Sequence, residues 1–342
     1  GRRSVNRLGL CQMDRQHIVQ IEAVEFVSAV ALLFLDVQAH HVESRASIAF
    51  RRNLKQLTRI FRAIFAKKFN TPIENGAKRR AIVRNPTAFE RRIGEGGKSR
   101  VYKTTDGGQS WTLQFKCGVE EAFFDAFAFW SPTQGIGFSD PVRGSFPIIR
   151  TSDGRSWRYG VPPKIPQSLQ SEGAFAASGT CLRSYGPSDV WFVTGGARVA
   201  RSFHSPDRGA TWTVSDLPIA AGVASAGAFS IAFRDPLHGV AVGGDYRNPA
   251  DERVNVALTD DGGRSWSLLG PQGPRGLREC VCWIPGGNTL VVVGPSGSDY
   301  SPDGGKSWSS VGGKDLHACS FASDGAGWAV GEEGAIWRWN AR

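Results

Sequence analysis

No apolar run in the 342 residues is long enough to cross a bilayer. The longest largely apolar stretch, Val27 to Leu35, covers nine residues, whereas a spanning helix needs about 20. Glu22 and Glu25 precede it and Asp36 follows, and it lacks the compact basic segment and small-residue cleavage site of a signal peptide. Cysteine is sparse: Cys11, Cys117, Cys181, Cys280, Cys282 and Cys319 form neither a dense disulfide framework nor a paired CxxC zinc pattern. The six histidines are scattered without an HExxH. The glycine pairs Gly195-Gly196 and Gly243-Gly244 follow apolar strands but open no helix, which excludes a dinucleotide fingerprint, and a P-loop is absent. No cofactor and no metal are expected.

The remaining scarcities are local. Residues before 90 contain only three of the 42 glycines and none of the eleven tryptophans. Residues 1–100 hold 20 Lys/Arg against 8 Asp/Glu, while residues 101–342 hold 21 against 23. The formal charge of +10 therefore belongs to the front of the chain, and a nearly neutral main domain gives no reason to expect a nucleic-acid partner. The composition changes near residues 92 to 98. A boundary is placed there, with residues 1–91 a discordant basic extension, disordered or non-native to the fold, and residues 92–342 the main domain. Within the extension, Arg51 to Phe69 has Leu54, Leu57, Ile60, Phe61 and Ile64 at helical spacing. Such a basic amphipathic helix can lie on anionic lipid, the lesser alternative for this segment.

Past residue 92 one string recurs. Asp106, Asp207, Asp261 and Asp303 are each followed by Gly two residues on, Ser or Thr four on and Trp five on, at Trp111, Trp212, Trp266 and Trp308. A fifth copy, Asp153 to Trp157, is one residue short. The aspartates are spaced by 47, 54, 54 and 42 residues, the length of a four-stranded sheet with its loops. Carboxylate and hydroxyl can satisfy turn amides, glycine supplies the backbone angles of a tight hairpin, and the tryptophan can fold back as a core anchor. A second pattern sets a Gly six residues after a strand-ending Phe, at Phe129/Gly135, Phe233/Gly239 and Phe321/Gly327. Each unit reads as strands 1, 2 and 3, the Asp-containing hairpin, then strand 4. The last unit stops after Trp339 without a fourth strand, so a closed ring needs that strand from the N-terminal side.

With these repeats, residues 92–342 resemble the Asp-box (BNR-type) β-propellers related to the photosystem II stability and assembly factors, and the box is also shared with sialidases and other glycosidases. The resemblance implies an all-β propeller of about seven four-stranded blades. Five boxes and one unboxed terminal unit leave six or seven, incomplete on the N-terminal side. It implies a non-catalytic binding or assembly module with a protein or glycan partner. The alternative is a secreted or periplasmic glycoside hydrolase of the sialidase-like type. An exported location is implied as well, although no export signal is read in this chain.

In a propeller, the loops joining strands 2 to 3 and strands 4 to 1 share the face opposite the Asp hairpins. That face is expected to display Asp140, Arg143, Asp245, Tyr246, Arg247, Arg278 and His317, together with Glu121, Glu172, Arg198, Glu332 and Glu333. A glycosidase needs two facing carboxylates, or a Tyr with Glu and an arginine cluster, and no such set recurs in the sequence. The aspartates of the boxes repeat in every unit and are read as structural. The longest loop of the shared face, Gly244 to Val254, mixes both charges with an aromatic, as recognition loops do. Cys280 and Cys319 hold comparable first-strand positions in adjacent units, and Cys282 shares a strand face with Cys280. All three are read as small core residues.

Overall fold

The computed structural model describes residues 10–12, 88–92, 96–313 and 315–339. The amphipathic segment Arg51 to Phe69 and most of the basic extension lie outside the described residues. The fold is an all-β propeller of small antiparallel blades. A three-stranded sheet comes first, of β2 (Ala88–Arg92), β3 (Arg100–Thr104) and β4 (Thr112–Lys116). Four meandering four-stranded blades follow. Blade 1 comprises β5 (Phe124–Ser131), β6 (Gln134–Ser139), β7 (Ile148–Thr151) and β8 (Arg158–Gly160). Blade 2 comprises β9 (Leu182–Tyr185), β10 (Asp189–Thr194), β11 (Ala200–Ser205) and β12 (Thr213–Leu217). Blade 3 comprises β13 (Ala226–Phe233), β14 (Gly239–Asp245), β15 (Val256–Thr259) and β16 (Ser267–Leu268). Blade 4 comprises β17 (Cys280–Trp283), β18 (Leu290–Gly294), β19 (Gly297–Ser301) and β20 (Ser309–Ser310).

Blade 5 contains β21 (Leu316–Phe321), β22 (Gly327–Gly331) and β23 (Ile336–Trp339). Its fourth strand is β1 (Leu10–Gln12), antiparallel to β23 with Leu10 opposite Trp339 and Gln12 opposite Trp337. Two strands thus come from the segment assigned to the extension: β1, and β2, which pairs with β3 across the expected boundary.

The expectation of six or seven blades is corrected by this count. Five blades have four strands, and the sheet β2–β4 has only three. Its strands β3 and β4 flank the first Asp turn, so it corresponds to strands 2 to 4 of a unit. Among the described residues no inner first strand precedes it.

The first strands of successive blades pack side by side, β5 on β9, β9 on β13, β13 on β17 and β17 on β21. Large aromatics fill the gaps between blades. Trp191 of blade 2 is fully buried, stacks on Phe233 of blade 3 at 3.8 Å between centroids, and donates its Nε1–H to Gly262 O at 2.9 Å. Trp130 Nε1–H bridges from blade 1 to Asp189 O of blade 2 at 3.0 Å. Each such side chain removes one large apolar surface from water, at about 1.5–3 kcal/mol, while its polar atom keeps a partner.

The Phe/Gly spacing is a cross-strand pair. Phe129 lies opposite Gly135, Phe233 opposite Gly239 and Phe321 opposite Gly327. In each case the ring lies across the glycine, and a Cβ on Gly239 would sit 2.5 Å from the Phe233 ring. A side chain at that position would drive the ring out of the blade gap.

The two ends of the propeller

The five Asp turns join strands 3 and 4 of the three-stranded sheet and of blades 1 to 4, and share one hydrogen-bond plan. In blade 2, Ser205 Oγ donates to Asp207 Oδ1 (2.8 Å) and accepts from Gly209 N–H (2.7 Å). Asp207 also accepts from Thr211 N–H (2.8 Å) and Thr211 Oγ–H (2.6 Å). The same four bonds recur around Asp106, Asp261 and Asp303. The shortened copy keeps them through Thr151, Gly154 and Ser156. Gly209 has φ +82°, a conformation that favours glycine, and a Cβ there would also press on the Ile136 Cδ1 methyl at 2.6 Å.

Hydrogen bonds led by the Ser110 hydroxyl hold the Asp106 carboxyl down at about 2, and those led by Ser307 do the same for Asp303. These carboxylates are already engaged by the hydroxyls and amides of their own turns, which marks them as structural. The tryptophans diverge. Trp157 and Trp212 are buried, and Trp212, Trp266 and Trp308 donate back to the turn at Gly209, Gly263 and Gly305 O. Trp111, expected to be an anchor, is 40% exposed. Among the described residues its sheet has no inner strand, and burial of the indole needs surrounding blades that the turn itself cannot provide.

The opposite end collects the 2–3 and 4–1 loops, and here no two blades are alike. Glu172, in the connection from β8 to β9, is buried and accepts from Leu169 N–H (2.7 Å), Thr194 Oγ–H (2.6 Å) and Arg201 Nε–H (2.8 Å), with a further bond from Arg201 Nη2. Arg278 is buried against Asp299, with Nη2–H to Oδ2 at 2.7 Å, and donates to Ser296 Oγ and Leu277 O. His317 of blade 5 is buried, with Nδ1 2.5 Å from Oε2 of Glu279, which directly precedes blade 4, and Nε2 3.7 Å from Glu332. Arg278 and His317, expected as displayed loop charges, are therefore interior pins. Each lies where a chain crosses from one blade to the next, and each is satisfied by a carboxylate whose own desolvation would otherwise be costly.

Asp140 sits partly buried just after β6 and accepts from Ala174 N–H at 2.8 Å. Burial pushes its carboxyl up to about 6, against the pull of that one amide. Arg143 is exposed, in a left-handed turn at φ +52°, with Nη2 3.5 Å from Glu121. Arg198, Glu332 and Glu333 are exposed.

The long loop from β14 to β15 is the most elaborate part of this end. Asp245 accepts from Arg247 N–H at 2.9 Å and caps the first turn. The loop is braced against the 4–1 connection by Leu277 N–H to Pro249 O (2.8 Å), Gly276 N–H to Arg253 O (3.1 Å) and Arg275 Nη1–H to Glu252 O (2.9 Å). Tyr246, 36% exposed, meets Phe175 edge-on at 6.1 Å, and Phe175 stacks on Phe229 at 4.0 Å. Arg247 beside it is exposed. The support of Tyr246 by Phe175 was not legible in the sequence, since 71 positions separate them and no repeat relates them.

Among the described residues, the only cluster of three or more His, Cys, Asp or Glu with converging ligand atoms is Cys280, Cys282 and Cys319, all buried. No Asp, Glu or His set of that kind forms on the loop end.

No protein-family model matches the chain, and no curated protein matches it. Among solved structures, it is similar to the GH74 enzyme of Niastella koreensis, at 12% identity and TM-score 0.53, over 75% of this chain and 42% of that one. It is similar to an ancestral GH74 enzyme at 14% identity and TM-score 0.51, over 73% of this chain and 34% of that one. A further match is YCF48 bound to D1 peptide, at 16% identity and TM-score 0.37, covering 78% of this chain and 100% of that one. The chain thus spans less than half the length of these two GH74 enzymes. At such identities the likeness is one of fold.

Proposed function

We propose that the chain is a non-catalytic propeller that binds an extended protein segment on its 2–3/4–1 loop end, the role implied by the resemblance of its repeats to assembly-factor propellers. The observation that carries this reading is the braced β14–β15 loop. It holds Tyr246 on the Phe175/Phe229 stack with Arg247 alongside, a rigid aromatic and a guanidinium ready before any partner arrives. Such side chains lose little freedom on binding and dominate interface energies. The buried carboxylates Glu172 and Glu279 and the partly buried Asp299 are meanwhile engaged by Arg201, His317 and Arg278, which favours binding over acid–base work.

Selection of peptides from a display library on the immobilised protein tests this. Tyr246→Ala is expected to weaken the selected binders about tenfold or more, and Arg247→Ala less, with the circular dichroism spectrum unchanged. Equal affinity for wild type and Tyr246→Ala would move the binding surface elsewhere.

One observation favours a hydrolase: Asp140, raised to about 6, keeps its proton to a higher pH than an ordinary carboxylate, as a general acid does. The hydrogen bond that its carboxylate accepts comes from a backbone amide. Turnover of β-glucan or sialoside substrates that vanishes in Asp140→Asn would replace the binding reading.

A further inference from the structure

The three buried cysteines between blades 4 and 5 lie outside the loop-end surface. Cys280 and Cys282 are two apart on β17, so both side chains leave the same face, and Cys319 meets them from β21 of the next blade. Their sulfurs lie within 4.8 Å of one another, with Cys280 and Cys319 3.7 Å apart. A zinc–thiolate bond is about 2.3 Å, so sulfurs sharing one tetrahedral or trigonal ion stand about 3.7–4.0 Å apart. A disulfide would need the same atoms at about 2.05 Å.

As thiols, Cys282 and Cys280 face a carbonyl acceptor, Cys319 O, at 2.9 and 3.5 Å, while other neighbours are donors that could support sulfur anions. Cys319 N–H approaches Cys280 Sγ at 3.4 Å, Thr180 Oγ lies 3.6 Å from the same sulfur, and Arg183 Nη2 lies 3.9 Å from Cys282 Sγ. Thr180 and Arg183 belong to blade 2, so three blades contribute. Donors of this kind orient thiolate ligands and set their basicity. Charge selects the ion. Three thiolates and a divalent cation carry a net −1, which the Arg183 guanidinium balances, whereas a monovalent ion would leave a net negative charge at a buried site.

We infer that Cys280, Cys282 and Cys319 form a three-thiolate site for one borderline-soft divalent cation of the zinc type, with Arg183 as its charge partner. The thiol protons leave to solvent as the three metal–sulfur bonds form, and no redox change occurs. The fourth position is left to a small exogenous ligand. The site joins blade 4 to blade 5 at their inner strands.

The test is titration of the reduced full-length chain with cobalt(II) under anaerobic conditions. One equivalent is expected to bring up a thiolate-to-cobalt charge-transfer band with visible ligand-field bands, and zinc to bleach both. Cys282→Ser should remove the charge-transfer band or shift it to two-sulfur coordination. Arg183→Leu leaves every sulfur in place, which covers the case of a serine variant that does not fold. It should weaken cobalt affinity about tenfold or more. A chain with all thiols reduced that develops no band overturns the site, as does a band indifferent to both variants. Recovery of a Cys280–Cys319 disulfide from protein kept anaerobic throughout would also overturn it.

Discussion

The two ends of this propeller solve the same problem in opposite ways. At the hairpin end, five strand connections use one turn, in which an aspartate, a hydroxyl and a glycine close a short loop with the same bonds. At the loop end, the blade junctions use unlike side-chain pairs: Glu172 with Arg201, Arg278 with Asp299, and His317 with Glu279. Repetition marks the end whose task is to close strands in every unit. Heterogeneity marks the end free to specialise, and the braced Tyr246 loop is there.

The comparison breaks most sharply if its buried pins are removed. Arg201→Leu leaves Glu172 inside the protein without its cation and is expected to cost about 3–5 kcal/mol in denaturant unfolding. Ser307→Ala, which removes a donor from an exposed turn carboxylate, should leave the midpoint nearly unmoved. A similar loss from both would mean that the hairpin end is as demanding as the loop end.

Within the hairpin end, the same turn stands in two contexts. Trp212→Ala empties a buried space between blades and is expected to cost about 3–5 kcal/mol. Trp111→Ala, at an indole 40% exposed, should cost under about 1 kcal/mol. Equal losses would show that a further strand covers Trp111 in solution.

The smallest effect is carried by proton linkage, and it runs in opposite directions at the two ends. The folded Asp140 carboxyl is raised from 3.8 to about 6, so its contribution favours the folded state below pH 3.8 and is lost as the pH rises through 6. Asp140→Asn should therefore stabilise the protein by about 1–3 kcal/mol at pH 7, and the gain should disappear below pH 4. Asp106 and Asp303 are depressed to about 2, so their contributions are present above pH 3.8 and lost as the pH falls through 2. Urea midpoints of wild type and Asp140→Asn from pH 3 to 8 check the sign at Asp140. A gain from Asp140→Asn that persists at pH 3 would mean that the substitution acts through packing.

What was legible in the sequence follows the same division. The turns could be read because every partner of Asp207 lies within four residues of it, at Ser205, Ala210 and Thr211. The Phe/Gly spacing was visible for the same reason, since a hairpin brings Phe233 and Gly239 together across a short turn. The pins at the loop end were not. Glu172 and Arg201 are 29 positions apart, Glu279 and His317 are 38 apart, and nothing periodic relates them. As isolated letters, Arg278 and His317 looked like surface charge, and only the crossing of chains between blades puts them inside. Trp111 failed as an anchor for a related reason: a local motif places a side chain, but its neighbours decide whether it is covered. The converging cysteines were half visible, as two residues on one strand and a third at the matching position of the next unit.

The pairing of Leu10–Gln12 with Ile336–Trp339 acts as a buckle between distant parts of the polypeptide. On a ribosome, β1 cannot pair until β23, made far later in the chain, has emerged. Blade 5 is completed only through a contact of very high sequence separation. Until the buckle shuts, β23 offers an open edge to any other strand that passes, including the same strand of a second molecule.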